Sequence, residues 1–383
     1  MREEQVVHLA DVKARLHDLG RGVAGGVHQV ELSAVDDGVA RAAFLRGGRR
    51  RAHAQEYEFQ NGFLLFTKMD ERLAGMNAWG YSCANTLVHV NHKRETAMKR
   101  LSEHLYAETD YDWANVGAAV TENGVVLLDC PVRPSDSRKW QAEVSALSPQ
   151  GVRYLIATDY HGDHTTGSSF IEGDVALIAP QYVFEEISKG DNAFSKEIFV
   201  NTLRDLGFTD EADEITNAAV PLPQFCFEDS LTLHLPPLTF EIHRKGGHSP
   251  ACTSVLVPEE GVLFAGDVVI NGPSAGMRDA FVQEWIDALA WVECLDIETI
   301  VPGHGEICGK EVATKLKNTL SGMMEIMVEV VAAGKEKREA TEDPKFLKYF
   351  HADETRGEYW LQQRKDTFRD GLERLYDEVV AKT

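Results

Sequence analysis

A chain of 383 residues has room for one large domain with additions, or for two domains. Its 43% hydrophobic and 26% charged content belongs to a folded globular protein, and a net charge of −22 opposes contact with a phosphate backbone, so nucleic acid is not an expected partner. No apolar run approaches the roughly 20 residues that cross a bilayer, and the charged, amphipathic N-terminus lacks the apolar core of a secretory signal, so a cytoplasmic protein without membrane contact is expected.

Residues 1–95 read as an extension with hairpin signals: "VHQVELSAVDDGVARAAFL" turns at Asp36-Asp37-Gly38, and "EYEFQNGFLLFTKM" turns at Asn61-Gly62. Arg49-Arg50-Arg51, beside Gly47-Gly48, reads as a solvated turn, and "KRETAMKRLSEHLY" has helical spacing. From about residue 100 the pattern sharpens. "NVGAAVTENGVVLLDCP" is a hairpin around Glu122-Asn123-Gly124, and "SDSRKWQAEVSAL" is a helix that Ser135 or Asp136 is placed to cap. The apolar run "VRYLIAT" follows as a buried strand, which gives the alternation of an α/β fold. After two helical segments, strands return in "LTLHLPPLTFEIHRKGGHS", "ACTSVLVPEEGVLFAGDVV" and "IETIVPGHGE", and residues 311–383 form a helical tail broken near Pro344. The six cysteines show no CxxC spacing and read as reduced thiols.

The chemistry concentrates at strand ends. "IATDYHGDHTTGS" places Asp159, His161, Asp163 and His164 within six residues, directly after the "VRYLIAT" strand. Groups packed that closely repel or titrate one another unless positive charge sits among them, and a metal ion supplies it. Three further ligand-type residues follow, each flanked by Gly or Pro: His248 in "KGGHSP", Asp267 in "AGD" and His304 in "PGHG". Each of the three has an ordinary structural reading in isolation. A shared metal centre accounts for them together. Cys130, Cys252, Trp285 and Trp291 read as core packing, and His234 and His243 as structural residues.

This order of motifs resembles the metallo-β-lactamase superfamily, whose signature is H-x-H-x-D-H followed by a His, a bridging Asp and a last His; the resemblance covers about residues 100–310. It implies an αβ/βα four-layer sandwich with the metal site at one edge of two packed sheets. A catalytic domain over 96–310 would then lie between the 1–95 extension and the 311–383 tail. It also implies ligand roles. Asp163, His164 and His304 match ligands of one metal, His161 and His248 match ligands of the other, and Asp267 matches the carboxylate that bridges them. Asp159 stands where the family has a His. As a harder ligand it tilts preference from zinc toward iron or manganese. Three readings stay open: a two-metal site with Asp159 as a ligand, a mononuclear site, and a site that has lost its metal.

The resemblance implies a metallo-hydrolase carrying Zn2+, two ions in the first reading. Metal-bound water, its pKa lowered toward about 7, would attack a small ester-like substrate such as a lactone, thioester or β-lactam, with Asp163 orienting the nucleophile and moving the proton. The alternative is a mononuclear iron dioxygenase of the persulfide dioxygenase type, using His161, His248 and Asp267. Substrate choice is expected from the loops Lys189–Phe199 and Ile270–Phe281. A small-molecule substrate and a homo-oligomer are the expected partners.

Overall fold

The structure, a computed structural model, describes residues 98–190, 193–272, 276–351 and 358–383, together with the backbone of five N-terminal strands. The chain divides into two compact units, Met1–Glu95 and Thr96–Thr383. The first contains β1 (Val27–Val35), β2 (Val39–Arg46), β3 (Gln55–Gln60), β4 (Phe63–Leu65) and β5 (Val88–His89), paired in that order as an antiparallel sheet. The two expected hairpins are present as β1–β2 and β3–β4, while their turn residues and Arg49–Arg51 lie outside the described residues.

In the second unit a seven-stranded sheet opens with β6 (Lys99–Arg100), β7 (Leu105–Glu108), β8 (Val116–Thr121) and β9 (Gly124–Leu128). Of "KRETAMKRLSEHLY", which reads as a helix or the approach to one, residues 93–97 lie outside the described residues, and from Lys99 on the chain forms this β6–β7 edge instead, with Lys99 opposite Ala107. Leu101 and Leu105 are four apart, which mimics a helical stripe, but both join the core through the turn and strand. Helix α1 (Pro134–Ser145) follows, with Arg133 as N-cap and no side-chain cap. Pro134 fills the first helical position, where an amide N–H would have no helical partner. Ser137 bonds back to the Pro131 and Gly167 carbonyls. The sheet is completed by β10 (Val152–Ile156), β11 (Ala176–Pro180) and β12 (Phe225–Phe227), with α2 (Gly162–Thr165), α3 (Gln181–Ser188), α4 (Ala193–Asp205) and α5 (Thr209–Asn217) between them. Parallel pairing of β9 with β10 and of β10 with β11 brings the ends of these strands to one edge.

The second sheet runs β13 (Ser230–Leu235), β14 (Leu238–Arg244), β15 (Thr253–Val257), β16 (Val262–Asn271) and β17 (Thr299–Gly305) in spatial order. Helix α6 (Val282–Cys294) joins β16 to β17, and α7 (Lys310–Ala332), α8 (Lys337–Thr341) and α9 (Glu358–Val380) form the tail.

Strand alternation builds the layers. Val126 and Leu128 of β9 meet Val262 and Phe264 of β16 in the core between the sheets. Val125 and Leu127 turn outward onto Trp140 and Val144 of α1, and Leu263 and Ala265 turn outward onto α6, α7 and α9. Helix, sheet, sheet, helix is the αβ/βα sandwich the sequence leads one to expect. No helix among the described residues is long and apolar enough to cross a membrane.

Candidate metal centre

The loop after β10 leaves the sheet at Thr158 and delivers four polar side chains in one short turn. Asp159 is fully buried; its Oδ1 accepts from the Tyr160 and His161 amides at 2.6 and 3.3 Å, and the Ser249 hydroxyl lies 2.8 Å from both carboxylate oxygens. The amide bonds form a local Asx-type turn that aims His161 across the site and starts α2 with Asp163 and His164. His248 comes from the turn after β14. Asp267 was expected at a strand end but lies inside β16, where Gly266, at φ 52°, interrupts the register with β17 and turns the carboxylate inward. His304 stands near the end of β17.

These residues form two groups, each with ligand atoms within 4.8 Å of one another: Asp159, His161, His248 and Asp267 in one, Asp163, His164 and His304 in the other. Asp267 reaches both. Its Oδ2 is 3.1 Å from His248 Nε2 and 3.5 Å from His164 Nε2, while its Oδ1 is 3.4 Å from His304 Nε2. His304 Nε2 is also 3.3 Å from Asp163 Oδ2. Asp159, His164, His248 and Asp267 are buried, whereas the side chains of His161, Asp163 and His304 keep 19 to 31% of their exposure, so the site opens on that side.

Three residues absent from the expected set hold these side chains. Asp129, at the end of β9 with φ 54°, accepts from His164 Nδ1 at 2.8 Å and from the Thr158 amide and hydroxyl at 2.8 and 2.5 Å. Asp279 accepts from His161 Nε2 at 3.1 Å. Asn115 donates to the Pro302 and Gly305 carbonyls at 2.8 and 2.7 Å, bracketing His304. Trp285 is fully buried, donates from Nε1 to the Val268 carbonyl at 2.9 Å and sets its ring edge-on to His248 at 5.1 Å. Cys252 is buried beside Asp159. Burial first, and the Asp159 and Asp267 carboxylates second, push its thiol well above the ordinary range. Of the loops expected to select substrate, Ile270–Phe281 supplies Asp279, and its residues 273–275 lie outside the described residues. In Lys189–Phe199, residues 191 and 192 lie outside them, and α4 begins at Ala193.

The electrostatics fit a cation. Burial alone would lower the His304 pKa, but Asp267 and Asp163 raise it to about 10. Burial opposes the charge on His161 too, yet Asp159, Asp279 and Asp163 bring it to about 9. Burial lowers His248. Burial would also raise Asp163 and Asp267, but the surrounding imidazoles hold both below the ordinary carboxylate range. The carboxylates thus draw protons onto His161, His164 and His304, and a bound metal would displace those protons. Among the buried side-chain atoms without a hydrogen-bond partner are His164 Nε2, His248 Nδ1 and Asp267 Oδ1. Unpartnered buried polar atoms are costly, and His164 Nε2 and Asp267 Oδ1, which both face the site, are donors a metal takes.

Two packed sheets with a His/Asp edge site of this kind define a metallo-hydrolase type of protein. Residues 114–304 match the profile of the metallo-beta-lactamase superfamily, and the chain belongs to that superfamily as a metallo-hydrolase. It is 21% identical over 245 residues to the metallo-beta-lactamase type 2 of Bacteroides fragilis, covering 60% of this chain and 88% of that protein. It is 22% identical over 215 residues to a linear primary-alkylsulfatase of a Pseudomonas species, covering 49% of this chain and 41% of that one. Among solved structures, the sec-alkylsulfatase Pisa1 from Pseudomonas sp. shares the fold with a TM-score of 0.55 at 15% identity, over 74% of this chain and 50% of that chain. The chain thus spans half or less of the two sulfatases. Members of the superfamily bind metal ions, often zinc.

Proposed function

We propose that this chain is a metal-dependent hydrolase of a small ester-like substrate (a lactone, thioester or β-lactam) with Zn2+ held by two residue groups that meet at Asp267. The observation that carries the reading is Asp267 within 3.5 Å of three imidazoles from three different segments, its Oδ1, 3.4 Å from His304 Nε2, being buried without a hydrogen-bond partner. His161, His248 and Asp267 would hold one ion, with Asp159 beside them, and Asp163, His164 and His304 the other. When bound, the ions supply Lewis acidity and an acidified water at neutral pH. The protein contributes the rest. Asp163, partly open to solvent and tied to His304, is placed to orient the attacking water, take its proton on Oδ2 and pass it to the leaving group. Trp285 closes the site behind His248 against water.

A second reading is a mononuclear iron dioxygenase. It draws support from the bonds Asp159 already accepts, which leave His161, His248 and Asp267 as a two-His, one-carboxylate set. The reading also puts the enzyme in the cytoplasm, supported by cysteines that are free thiols throughout the described residues. Its partners would be a small molecule and further copies of this chain, with nucleic acid disfavoured by the −22 charge.

Elemental analysis of protein purified without added metal, followed by turnover of lactone, thioester, β-lactam and sulfate-ester panels, tests the reading. Zinc with chelator-sensitive hydrolysis is the expected result. A single iron with oxygen uptake selects the second reading. A protein that takes up no metal ends both.

A further inference from the structure

The segment that carries Asp279 is gripped by the last helix. Along α9, Asp370, Arg374 and Glu378 are spaced four apart and form one polar stripe, while Leu372, Leu375 and Val379 enter the core. That stripe runs along residues 277–283. Arg278 Nε lies 3.3 Å from Asp370 Oδ2, Arg374 Nε donates to the Ala280 carbonyl at 2.9 Å, and the Arg374 guanidinium carbon lies over the Phe281 ring, 4.3 Å from its centroid. Glu378 accepts from the Val282 and Gln283 amides at 2.7 and 3.1 Å, which caps α6. Gly371 leaves room for Met277, since a Cβ there would come within 2.4 Å of the Met277 Cβ. Every contact constrains the short stretch on which Asp279 stands. Asp279 in turn accepts from His161 Nε2 at 3.1 Å, and the Tyr160 hydroxyl bonds to the same carboxylate.

From this arrangement we propose that Asp279 is a positioning residue for His161, and that the tail helix α9 sets its place. The tail is then part of the site's framework rather than an appendage. With Nε2–H committed to Asp279, Nδ1 is the nitrogen of His161 that faces the first residue group, where it lies 3.6 Å from Asp159 Oδ1 and could bind a metal once its proton is displaced. An outer carboxylate on the far nitrogen fixes both the ring angle and the tautomer of a metal-binding imidazole, and losing one typically weakens metal binding by 10–100-fold. Asp129 does the same for His164 in the second group. Each group therefore has its own outer carboxylate, one from a core strand and one held by the tail. The effect on metal rests on the metal-centre reading above; the tie between Asp279 and His161 does not.

The test has two arms. In metal-free protein labelled with 15N-histidine, the His161 Nε2–H signal is expected to be slow-exchanging in wild type, lost in Asp279→Ala and weakened in Arg374→Ala. In chelator competition on reconstituted protein, Asp279→Ala is expected to loosen one ion about 10–100-fold, with Asp279→Asn between it and wild type. Asp129→Ala should loosen the other ion, and melting temperatures of the variants identify any that fail to fold. An unchanged His161 signal in a folded Asp279→Ala protein overturns the proposal, as does metal affinity equal to wild type in a protein that binds metal. Loss of the signal in a protein that takes up no metal refutes the metal centre while the positioning role stands.

Discussion

The glycine of "PGHG" offers a sharp test of how the site is assembled. A Cβ added at Gly303 would lie 1.9 Å from Asp267 Oδ1 and 2.8 to 2.9 Å from the backbone between Gly266 and Asp267. Ordinary contact requires about 3.5 Å, so in Gly303→Ala the carboxylate must retreat by more than about 1 Å. Asp267 cannot retreat and keep its place, because its two oxygens lie 3.1 to 3.5 Å from His164, His248 and His304. Displacements of about 1 Å at a reacting centre cost on the order of 100-fold in rate. Gly303→Ala should therefore fold, retain the two sheets and lose most bound metal and hydrolysis together. Metal per chain, a far-ultraviolet dichroism spectrum and turnover of whichever ester panel member the wild type cleaves are the assays. A folded variant with full metal content and activity would refute the central position given to Asp267.

Asn115→Ala removes the donor to the Pro302 and Gly305 carbonyls; we expect a loss of about 1–3 kcal/mol in denaturant unfolding and weaker metal retention than in wild type. Trp285→Ala empties a fully buried site behind His248 and should cost about 3–5 kcal/mol, read as a lower melting temperature, whereas Trp285→Phe should recover most of it. Asp159→His, which recreates the family's residue, should bind metal more weakly than wild type rather than more tightly; tighter binding by chelator competition would show that the bonds around Asp159 contribute nothing to the loop.

Much of the site was legible because its chemistry is local. Four ligand-type residues between Asp159 and His164 follow an apolar strand, and Asp267 and His304 carry the small residues that their tight packing demands. Gly303 shows why: only a residue without a Cβ fits beside Asp267. The alternating apolar runs that became β9 and β16 likewise announced two faces, one for each core. The supporting residues were not legible in the same way. Asp129 carried a faint signal, a carboxylate at the end of the run "VVLLD", but its partner is 35 positions on. Asp279 and Asn115 had none, since their contacts span 118 and about 190 positions and exist only once α9 and β17 are in place. The β6–β7 edge was misread for the opposite reason: its local spacing was helical, and pairing across the sheet overrode it.

The departure at Asp159 then has a physical account that needs no loss of function. A neutral imidazole has one acceptor nitrogen. Asp159 accepts from the Tyr160 and His161 amides and lies 2.8 Å from the Ser249 hydroxyl through both oxygens. These bonds tie together the loop after β10 and the turn after β14, the two segments that deliver His161 and His248. A histidine there would leave buried donors unpaired, at roughly 1–3 kcal/mol each. The carboxylate also places negative charge beside His161, where Asp279 already adds more. The first group thus gains anionic character and a stiffer loop where the family pattern would gain a third imidazole. That exchange makes the first ion the one whose identity Asp159 decides, and it is why the metal content of the untreated protein discriminates between hydrolysis and oxygen chemistry.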